Sequence, residues 1–379
     1  RMYTREQLTA RHMPFSSLRY STEAFVDYCL DECKPKFNYA LVGPGVSQSE
    51  SQPVSLREPH GFQVGGVRMP HGKVNPPHLH FTCEVFICTR GQWEVRWGFD
   101  PGFESAVISE GDIISVPTWI FRGFRNVGPD DGFLFTALGG DNTGGIIWAP
   151  EVLSAAREKG VLLTDHYRLV DLNRGESLGS GERPLDPMSE GERRLLRRWT
   201  REEMEGRIVR SVSLQWSSLA LLDHALPTGG AEIAPVVGFG MSEHRDILPP
   251  IVNPHGVSLE WIRLQPGVTV SRHRLQEKQV MLVVDGAVEL EIEGADGPAT
   301  FLLTGGQAGW DSYALPGGCW RSVRQFGQTP ARALLMTAGD QRKRIEWDPT
   351  VVASAAHFDQ THDASGYLAR RSTILKGKA

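Results

Sequence analysis

Long hydrophobic runs are missing from this sequence of 379 residues. No stretch reaches the roughly 18 consecutive apolar residues that suggest a membrane-spanning helix, so we expect no membrane partner. The polar first residues, Arg1 to Gln7, lack the apolar core of a secretion signal, so we expect no export signal.

Cysteine is scarce as well, and an excess of basic residues is absent. The 5 cysteines are few and odd in number, which fits a reducing cytoplasm better than a disulfide scaffold, and we expect a cytoplasmic protein. The chain carries 40 Lys and Arg against 45 Asp and Glu, a net charge of −5. This balance argues against a nucleic-acid partner, because nucleic-acid binders usually present a basic face.

An internal repeat is the most informative feature that is present. Similar residues recur at a nearly constant offset of 195 to 199 positions. The matching pairs include Thr4 and Thr200, His60 and His255, His78 and His273, Arg122 and Arg321, and Trp148 and Trp347. A chance similarity would not keep its register over so much of the chain, so we interpret the sequence as a duplicated unit.

The repeat predicts two domains of one kind, at residues 1–171 and 199–379. Residues 172–198 are rich in Gly, Pro, Ser and charge and predict a linker with a lead-in helix. A capping-box pattern opens each repeat and predicts a short helix there. A proline near the end of each repeat predicts another short helix. The apolar spacing from Phe25 to Cys33 predicts a further helix in the first repeat.

Between the helices the apolar period changes from 3.6 to 2, which indicates strands. The strand candidates are 62–69, 85–89, 91–97, 112–116 and 133–138 in the first repeat, and 257–264, 280–284, 286–292, 299–303 and 333–338 in the second. Short strands bounded by Gly or Pro are typical of a small barrel or jelly roll. The predicted fold is therefore mainly β, with two tandem jelly-roll β-barrels and short helices at the start and end of each repeat.

The first repeat contains the spacing Gly72-x5-His78-x-His80-x3-Glu84-x6-Gly91. His78 and His80 are two positions apart, so on a strand they point to one face. Glu84 follows a short irregular stretch and can turn in beside them. Two imidazoles and a carboxylate form a ligand set for a divalent transition metal, and three protein ligands leave positions open for catalysis.

This spacing resembles the first motif of the cupin superfamily at every fixed position. The second cupin motif is also traceable, with Gly111, Pro117 and Asn126 in place. Trp119 stands where that motif has a second Gly, and Arg122 stands where it has a third metal-binding His. The chain resembles a bicupin over both repeats, and its length and metal placement resemble those of the gentisate dioxygenase family of ring-cleaving enzymes.

The resemblance implies a metal-dependent enzyme with iron(II) on His78, His80 and Glu84. The leading hypothesis is a non-haem iron dioxygenase of a small aromatic or carboxylated substrate, in which Arg122 is catalytic as an anion anchor. One alternative is a cupin isomerase, decarboxylase or lyase that uses manganese, zinc or nickel. Another is a non-enzymatic, small-ligand-binding bicupin with Arg122 in place of a metal ligand. The resemblance also implies a homo-oligomer.

Arg122 leaves three interpretations open, because arginine stays protonated and cannot ligate a metal. It can hold a substrate anion near the metal, pair with Glu84 in a metal-free barrel, or point away as a structural ion-pair partner.

The second repeat lacks the ligand set. His273 matches His78, but Leu275 replaces the second His and Gln279 replaces the Glu. Arg321 nevertheless matches Arg122, so the arginine occurs with and without the ligands, which favours a structural role in both barrels. We expect no metal in the second repeat, because one imidazole and one amide are a poor transition-metal site.

Overall fold

The computed structural model describes residues 2–376, which form two compact units. Residues 19–213 form one unit, here called the N-terminal barrel. Residues 2–18 and 214–376 form the other, here called the C-terminal barrel. Each unit consists mostly of antiparallel strands with a few short helices, so the predicted mainly β, two-barrel fold is confirmed.

The N-terminal barrel is built from two sheets. Its larger sheet contains Tyr20–Ser21, Phe37–Val42, Val54–Leu56, Phe62–Met69, Glu84–Arg90, Ile113–Val116, Gly132–Gly139 and Ile208–Val209. Its smaller sheet runs in the order Ile146–Trp148, Val74–His80, Arg122–Asn126, Gln92–Trp97 and Glu104–Ser109. A separate hairpin pairs Val161–Leu163 with Leu169–Asp171, and the α-helices are Pro150–Glu158, Glu190–Arg194 and Arg201–Glu205.

The barrel interior follows from the period of two along its strands. In Gln92–Trp97 the side chains of Trp93, Val95 and Trp97 are buried, while the residues between them are partly or fully exposed. They pack with Phe86 and Phe124 in one hydrophobic core. Alternating burial of this kind is what an antiparallel sheet with one wet face requires.

The C-terminal barrel repeats this plan around one long strand, Gln279–Gly294. The other strands are His12–Met13, Glu232–Val237, Val257–Leu264, Thr269–Arg274, Gly297–Gly306, Gly309–Trp310, Ser312–Leu315, Arg321–Phe326, Ala331–Ala338, Glu346–Trp347, Gln360–His362 and Leu368–Arg370. The α-helices are Arg5–Thr9, Pro349–His357 and Arg371–Lys376. The first part of the long strand pairs with Ala331–Ala338, and its second part pairs with Arg321–Phe326 and Gly297–Gly306.

The lead-in segment of each repeat belongs to the other repeat's barrel. His12–Met13 pairs with Ser312–Leu315 in the C-terminal barrel, and Ile208–Val209 pairs with Ile113–Val116 in the N-terminal barrel. The preceding helices follow the same exchange, because Leu8 is buried in the C-terminal core and Met204 in the N-terminal core. The two barrels therefore begin and end at different residues from the two sequence repeats.

The predicted domain bounds of 1–171 and 199–379 describe the repeats rather than these contact units. Residue 1 and residues 377–379 of those bounds lie outside the described residues. The predicted linker at 172–198 is mostly exposed and includes the short helix Glu190–Arg194.

Two local predictions differ from the structure. The helix predicted from Phe25 to Cys33 is wrong, since only Val26–Cys29 forms a short 3-10 helix and the Val26 N–H donates to Gln48 Oε1 at 2.8 Å. The predicted strands 280–284 and 286–292 are one continuous strand. Among residues 2–376, no helix is long and apolar enough to cross a membrane.

Candidate metal centre

The three predicted ligands lie together in the N-terminal barrel. His78 and His80 are on Val74–His80, and Glu84 begins the strand Glu84–Arg90. All three side chains are buried, and one ligand atom from each lies within 4.8 Å of the others. The predicted spacing therefore places the three side chains together. The two histidines lie on one face of a strand, and a short turn leads from that strand to Glu84 on the next.

The His78 ring is oriented by its own strand. Its Nδ1 lies 2.9 Å from the Pro76 carbonyl oxygen, so this nitrogen donates and Nε2 keeps its lone pair. Burial lowers the pKa of His78 to about 3, with the positive charge of Arg122 acting in the same direction. The ring is therefore neutral near pH 7, the state that a metal ligand requires.

The nitrogens of the His80 ring are available to bind a metal. Burial lowers its pKa well below the usual value, and both ring nitrogens are buried without a hydrogen-bond partner among the described residues. Its Nε2 lies 3.2 Å from Glu84 Oε2, a contact that is not a hydrogen bond. Buried polar atoms are normally paired, so these orphaned nitrogens fit a site that receives a metal ion.

Arg122 is fully buried and holds Glu84. Its Nη1 donates to Glu84 Oε2 at 3.0 Å, its Nε donates to the Ile120 carbonyl at 2.9 Å, and its Nη2 donates to the Pro117 carbonyl. Burial raises the pKa of Glu84, and the nearby guanidinium opposes that rise. The three interpretations require different contacts of Arg122, and the structure contains the contact with Glu84.

Arg122 is absent from the residues that line the cavity at the ligands. A catalytic anion anchor would have to reach that space, so the predicted catalytic role of Arg122 stays a prediction. Its observed contacts are those of a positioning residue, because a charge-assisted hydrogen bond fixes one oxygen of Glu84.

A further buried network lies behind His78 and was not predicted. Lys36 Nζ donates to Asn75 Oδ1 at 2.6 Å and forms an ion pair with Asp27. Asn75 Nδ2 lies 3.3 Å from His78 Nδ1. No sequence motif points to Asp27 or Lys36 as part of this network. Asn75 alone could have been suspected from the sequence, because it lies three residues before His78.

A cavity of about 90 Å³ opens onto the three ligands. Its walls are mostly apolar and include Phe86, Phe124 and Leu138. Two of its lining residues, Asn38 and Trp148, have a buried side-chain nitrogen (Nδ2 and Nε1) without a hydrogen-bond partner among the described residues. Residues with unused hydrogen-bond donors therefore line the cavity beside the candidate metal ligands.

Trp119 adopts the backbone conformation of the glycine that it replaces. Its φ is 56°, and the matching Gly318 in the second repeat has a φ of 76°. A residue other than glycine is strained in this left-handed region. The Trp119 N–H donates to the His80 carbonyl oxygen at 3.1 Å, while the side chain is 48% exposed. The turn is therefore tied to a candidate ligand through its backbone.

The C-terminal barrel has the same frame without the ligands. His273 Nδ1 lies 2.8 Å from the Ser271 carbonyl, as His78 does from Pro76, but Leu275 is a buried apolar residue where His80 would be. Arg321 Nη2 donates to Gln279 Oε1 at 2.6 Å, which repeats the contact of Arg122 with Glu84. Within residues 2–376, only the group in the N-terminal barrel has three side chains placed to hold a metal.

The histidines before the first long strand of each barrel have structural contacts. His60 Nδ1 lies 2.9 Å from the Glu58 carbonyl, and His255 Nδ1 lies 2.6 Å from the Asn253 carbonyl. The same hydrogen bond occurs in the barrel with the candidate ligands and in the barrel without them, which indicates a structural role for the pair.

Comparison with known proteins supports this fold. Residues 58–169 match the family model described as Cupin, and no curated protein matches the chain. The oxalate decarboxylase of Lactobacillus farciminis, solved as a formate complex, is similar with a TM-score of 0.54 and 12% identity over 90% of each chain. Hazelnut (Corylus avellana) vicilin is similar with a TM-score of 0.52 and 11% identity, over 89% of this chain and 87% of that chain.

The oxalate decarboxylase of Bacillus subtilis, solved at pH 4.6, gives a TM-score of 0.50 and 12% identity, over 88% of this chain and 77% of that chain. Identities this low show a shared fold and nothing finer. The N-terminal barrel thus matches the cupin family in sequence, and the whole chain has the two-barrel fold of a bicupin.

Proposed function

We propose that the protein is a metal-dependent cupin enzyme that acts on a small carboxylated substrate in the N-terminal barrel. His78, His80 and Glu84 would hold a divalent metal, and the reaction would be a decarboxylation or a related lyase step. The observation that carries this proposal is the convergence of the three ligand atoms within 4.8 Å beside a cavity.

The donor set suits a divalent transition metal, because it combines two neutral imidazoles with one carboxylate. When bound, such a metal would act as a Lewis acid and polarise an oxygen of the substrate. The oxalate decarboxylases named above have the same two-barrel fold, and on that ground we place a decarboxylase before a dioxygenase. The iron dioxygenase stays a prediction, and dependence of turnover on O2 would test it.

Charge favours an anionic substrate. A divalent metal would bring two positive charges beside that of Arg122, and Glu84 supplies one negative charge. Lys36 is already compensated by Asp27. Buried charge is costly unless it is paired, so an anion in the cavity would lower the energy of the loaded site.

The residues of the chain would bind and orient that anion. Asn38 Nδ2 and Trp148 Nε1 are free to donate to substrate oxygens. Phe86, Phe124 and Leu138 would exclude bulk water, which strengthens electrostatic interactions in the cavity. Arg122 would hold Glu84 in one orientation.

A second candidate is a non-enzymatic bicupin that binds a small ligand without metal. The contact between Arg122 and Glu84 favours it, because the guanidinium already compensates the carboxylate that a metal would need. The vicilin named above has the same fold.

Metal analysis would decide between these functions. Metal-free protein is reconstituted anaerobically with manganese, zinc, nickel or iron(II), as wild type, as the double variant His78→Ala/His80→Ala, and as His273→Ala. The proposal expects about one metal per chain in the wild type and in the His273 variant, and none in the double variant. Turnover is then followed with small mono- and dicarboxylates, with and without O2.

Equal metal contents in all three proteins would contradict the proposed site. Binding of small carboxylates that persists in chelator, without any metal-dependent turnover, would favour the second candidate.

A further inference from the structure

The C-terminal barrel contains a cavity of its own where the matching barrel has the candidate metal centre. Apolar side chains such as Met241, Ile262 and Leu335 line most of it. Its polar lining consists of His273, Gln279 and Arg321. The space measures about 20 Å³, room for one or two water-sized groups.

Arg321 is a buried cation that forms no ion pair with any of residues 2–376. It is 2% exposed, and its hydrogen bonds go to Gln279 Oε1 at 2.6 Å and to the Cys319 carbonyl at 3.4 Å. A guanidinium has five N–H donors, so several stay without a protein acceptor. No carboxylate of the described residues forms an ion pair with Arg321. Burial lowers the pKa of Arg321 to about 10, which is still well above neutral pH. It is therefore charged at neutral pH.

The N-terminal barrel supplies the matched comparison. Arg122 and Arg321 hold the same position, because each is paired across the sheet with the histidine of its barrel. Arg122 is compensated by Glu84 at 3.0 Å, whereas Arg321 faces the neutral Gln279. One residue of difference therefore removes the negative charge and leaves the cation in an apolar surrounding, which is costly.

We infer that the C-terminal barrel binds one small monovalent anion, such as chloride or formate, against the Arg321 guanidinium. The cavity volume excludes larger anions. His273 would not donate to the anion, since its Nδ1 lies 2.8 Å from the Ser271 carbonyl. The anion supplies the charge that Glu84 supplies in the other barrel. This site stands apart from the proposed metal centre and does not depend on it.

The test is thermal unfolding of the chelator-treated, full-length protein in chloride, formate or gluconate at constant ionic strength. For the wild type, saturating chloride or formate is expected to raise the melting temperature by about 5 °C over gluconate. Gln279→Glu should remove this response and melt higher than the wild type in gluconate, because it recreates the pair of the N-terminal barrel. The control Gln276→Glu adds the same charge three positions earlier at an exposed residue and should keep the response.

A wild type that responds equally to all three salts would overturn the inference, and so would a Gln279→Glu variant that responds as the wild type does. Crystals of the wild type soaked in bromide give a second test that needs no variant. An anomalous peak beside Arg321 is expected, and its absence there would overturn the inference as well.

Discussion

Replacement of Arg122 by Met would remove the one cation among residues 2–376 that contacts Glu84, and it would leave a similar volume of side chain in the barrel. Arg122 is 0% exposed and Glu84 is 5% exposed, so the carboxylate would stay buried without its partner. Breaking a buried pair from one side typically costs about 3 to 5 kcal/mol. We expect the N-terminal barrel to lose that much free energy of unfolding.

The double-mutant cycle with Glu84→Gln tests the cause of this loss. Arg122→Met/Glu84→Gln leaves no buried charge at the pair, so it should cost less than the two single changes together, by at least about 1 kcal/mol. The control Arg125→Met acts on the same strand, in an ion pair that is partly exposed, and should cost no more than about 1 kcal/mol.

The assay is urea unfolding in chelator, followed by tryptophan fluorescence. Trp93, Trp97 and Trp148 are buried in the N-terminal barrel and report on its transition. An Arg122→Met variant as stable as Arg125→Met would refute the argument. Strict additivity in the cycle would refute it too, because it would mean that the two side chains do not interact energetically.

Three further predictions concern other parts of the chain. Burial raises the pKa of Glu260 to about 7, so the native state binds its proton more tightly than the unfolded chain does. Stability should fall by about 3 kcal/mol as the pH rises from about 4.5 to 7, and Glu260→Gln should flatten that slope in urea titrations. Trp119→Gly should change the free energy of unfolding by less than about 1 kcal/mol, because relief of the left-handed backbone offsets the entropy of glycine and the lost contact with Phe81. A loss above 2 kcal/mol, on the scale of a core residue, would contradict this. Met204→Ala should cost about 2 to 5 kcal/mol and reduce hydrogen-exchange protection in the N-terminal barrel, while protection lost only in the C-terminal barrel would contradict the exchange of segments.

The convergence of the three candidate ligands was predictable because its geometry is local. His78 and His80 share a face through the period of two, and Glu84 follows only four residues later. The neutral state of the His78 ring then follows from its burial, which lowers its pKa to about 3.

The partner of Glu84 was not predictable to the same degree. Arg122 lies 38 residues along the chain from Glu84 and on a strand of the other sheet, so their contact depends on the barrel as a whole. The spacing left three interpretations open and the repeat favoured a structural role, whereas the contacts of the guanidinium with Glu84 and with the Pro117 and Ile120 carbonyls are set by the folded barrel. The network of Lys36 and Asn75 depends on the same kind of long-range contact.

The strands were predicted better than the assembly of the units. Phe62–Met69 and Val257–Leu264 have the predicted bounds, since each is a largely apolar run that begins after a glycine, and most of its residues are buried. The lead-in segments carry equally good local signals at Thr4 and Thr200, but a capping box says nothing about which barrel receives the helix. Two similar barrels offer similar docking edges, so the choice between them is not encoded in either segment alone.

The comparison between the barrels separates what the arginine does from what the metal would need. Arg122 and Arg321 keep the same register and donate to the side chain at the same position, whether that side chain is Glu84 or Gln279. The arginine therefore does not require the ligand set, and a metal site in the N-terminal barrel depends on the two other differences, the second imidazole and the carboxylate. Where the carboxylate is present, the arginine holds it; where it is absent, the same arginine is left with a charge to be satisfied. The same pairing of arginine and histidine strands therefore accompanies a candidate cation site in the N-terminal barrel and a candidate anion site in the C-terminal barrel.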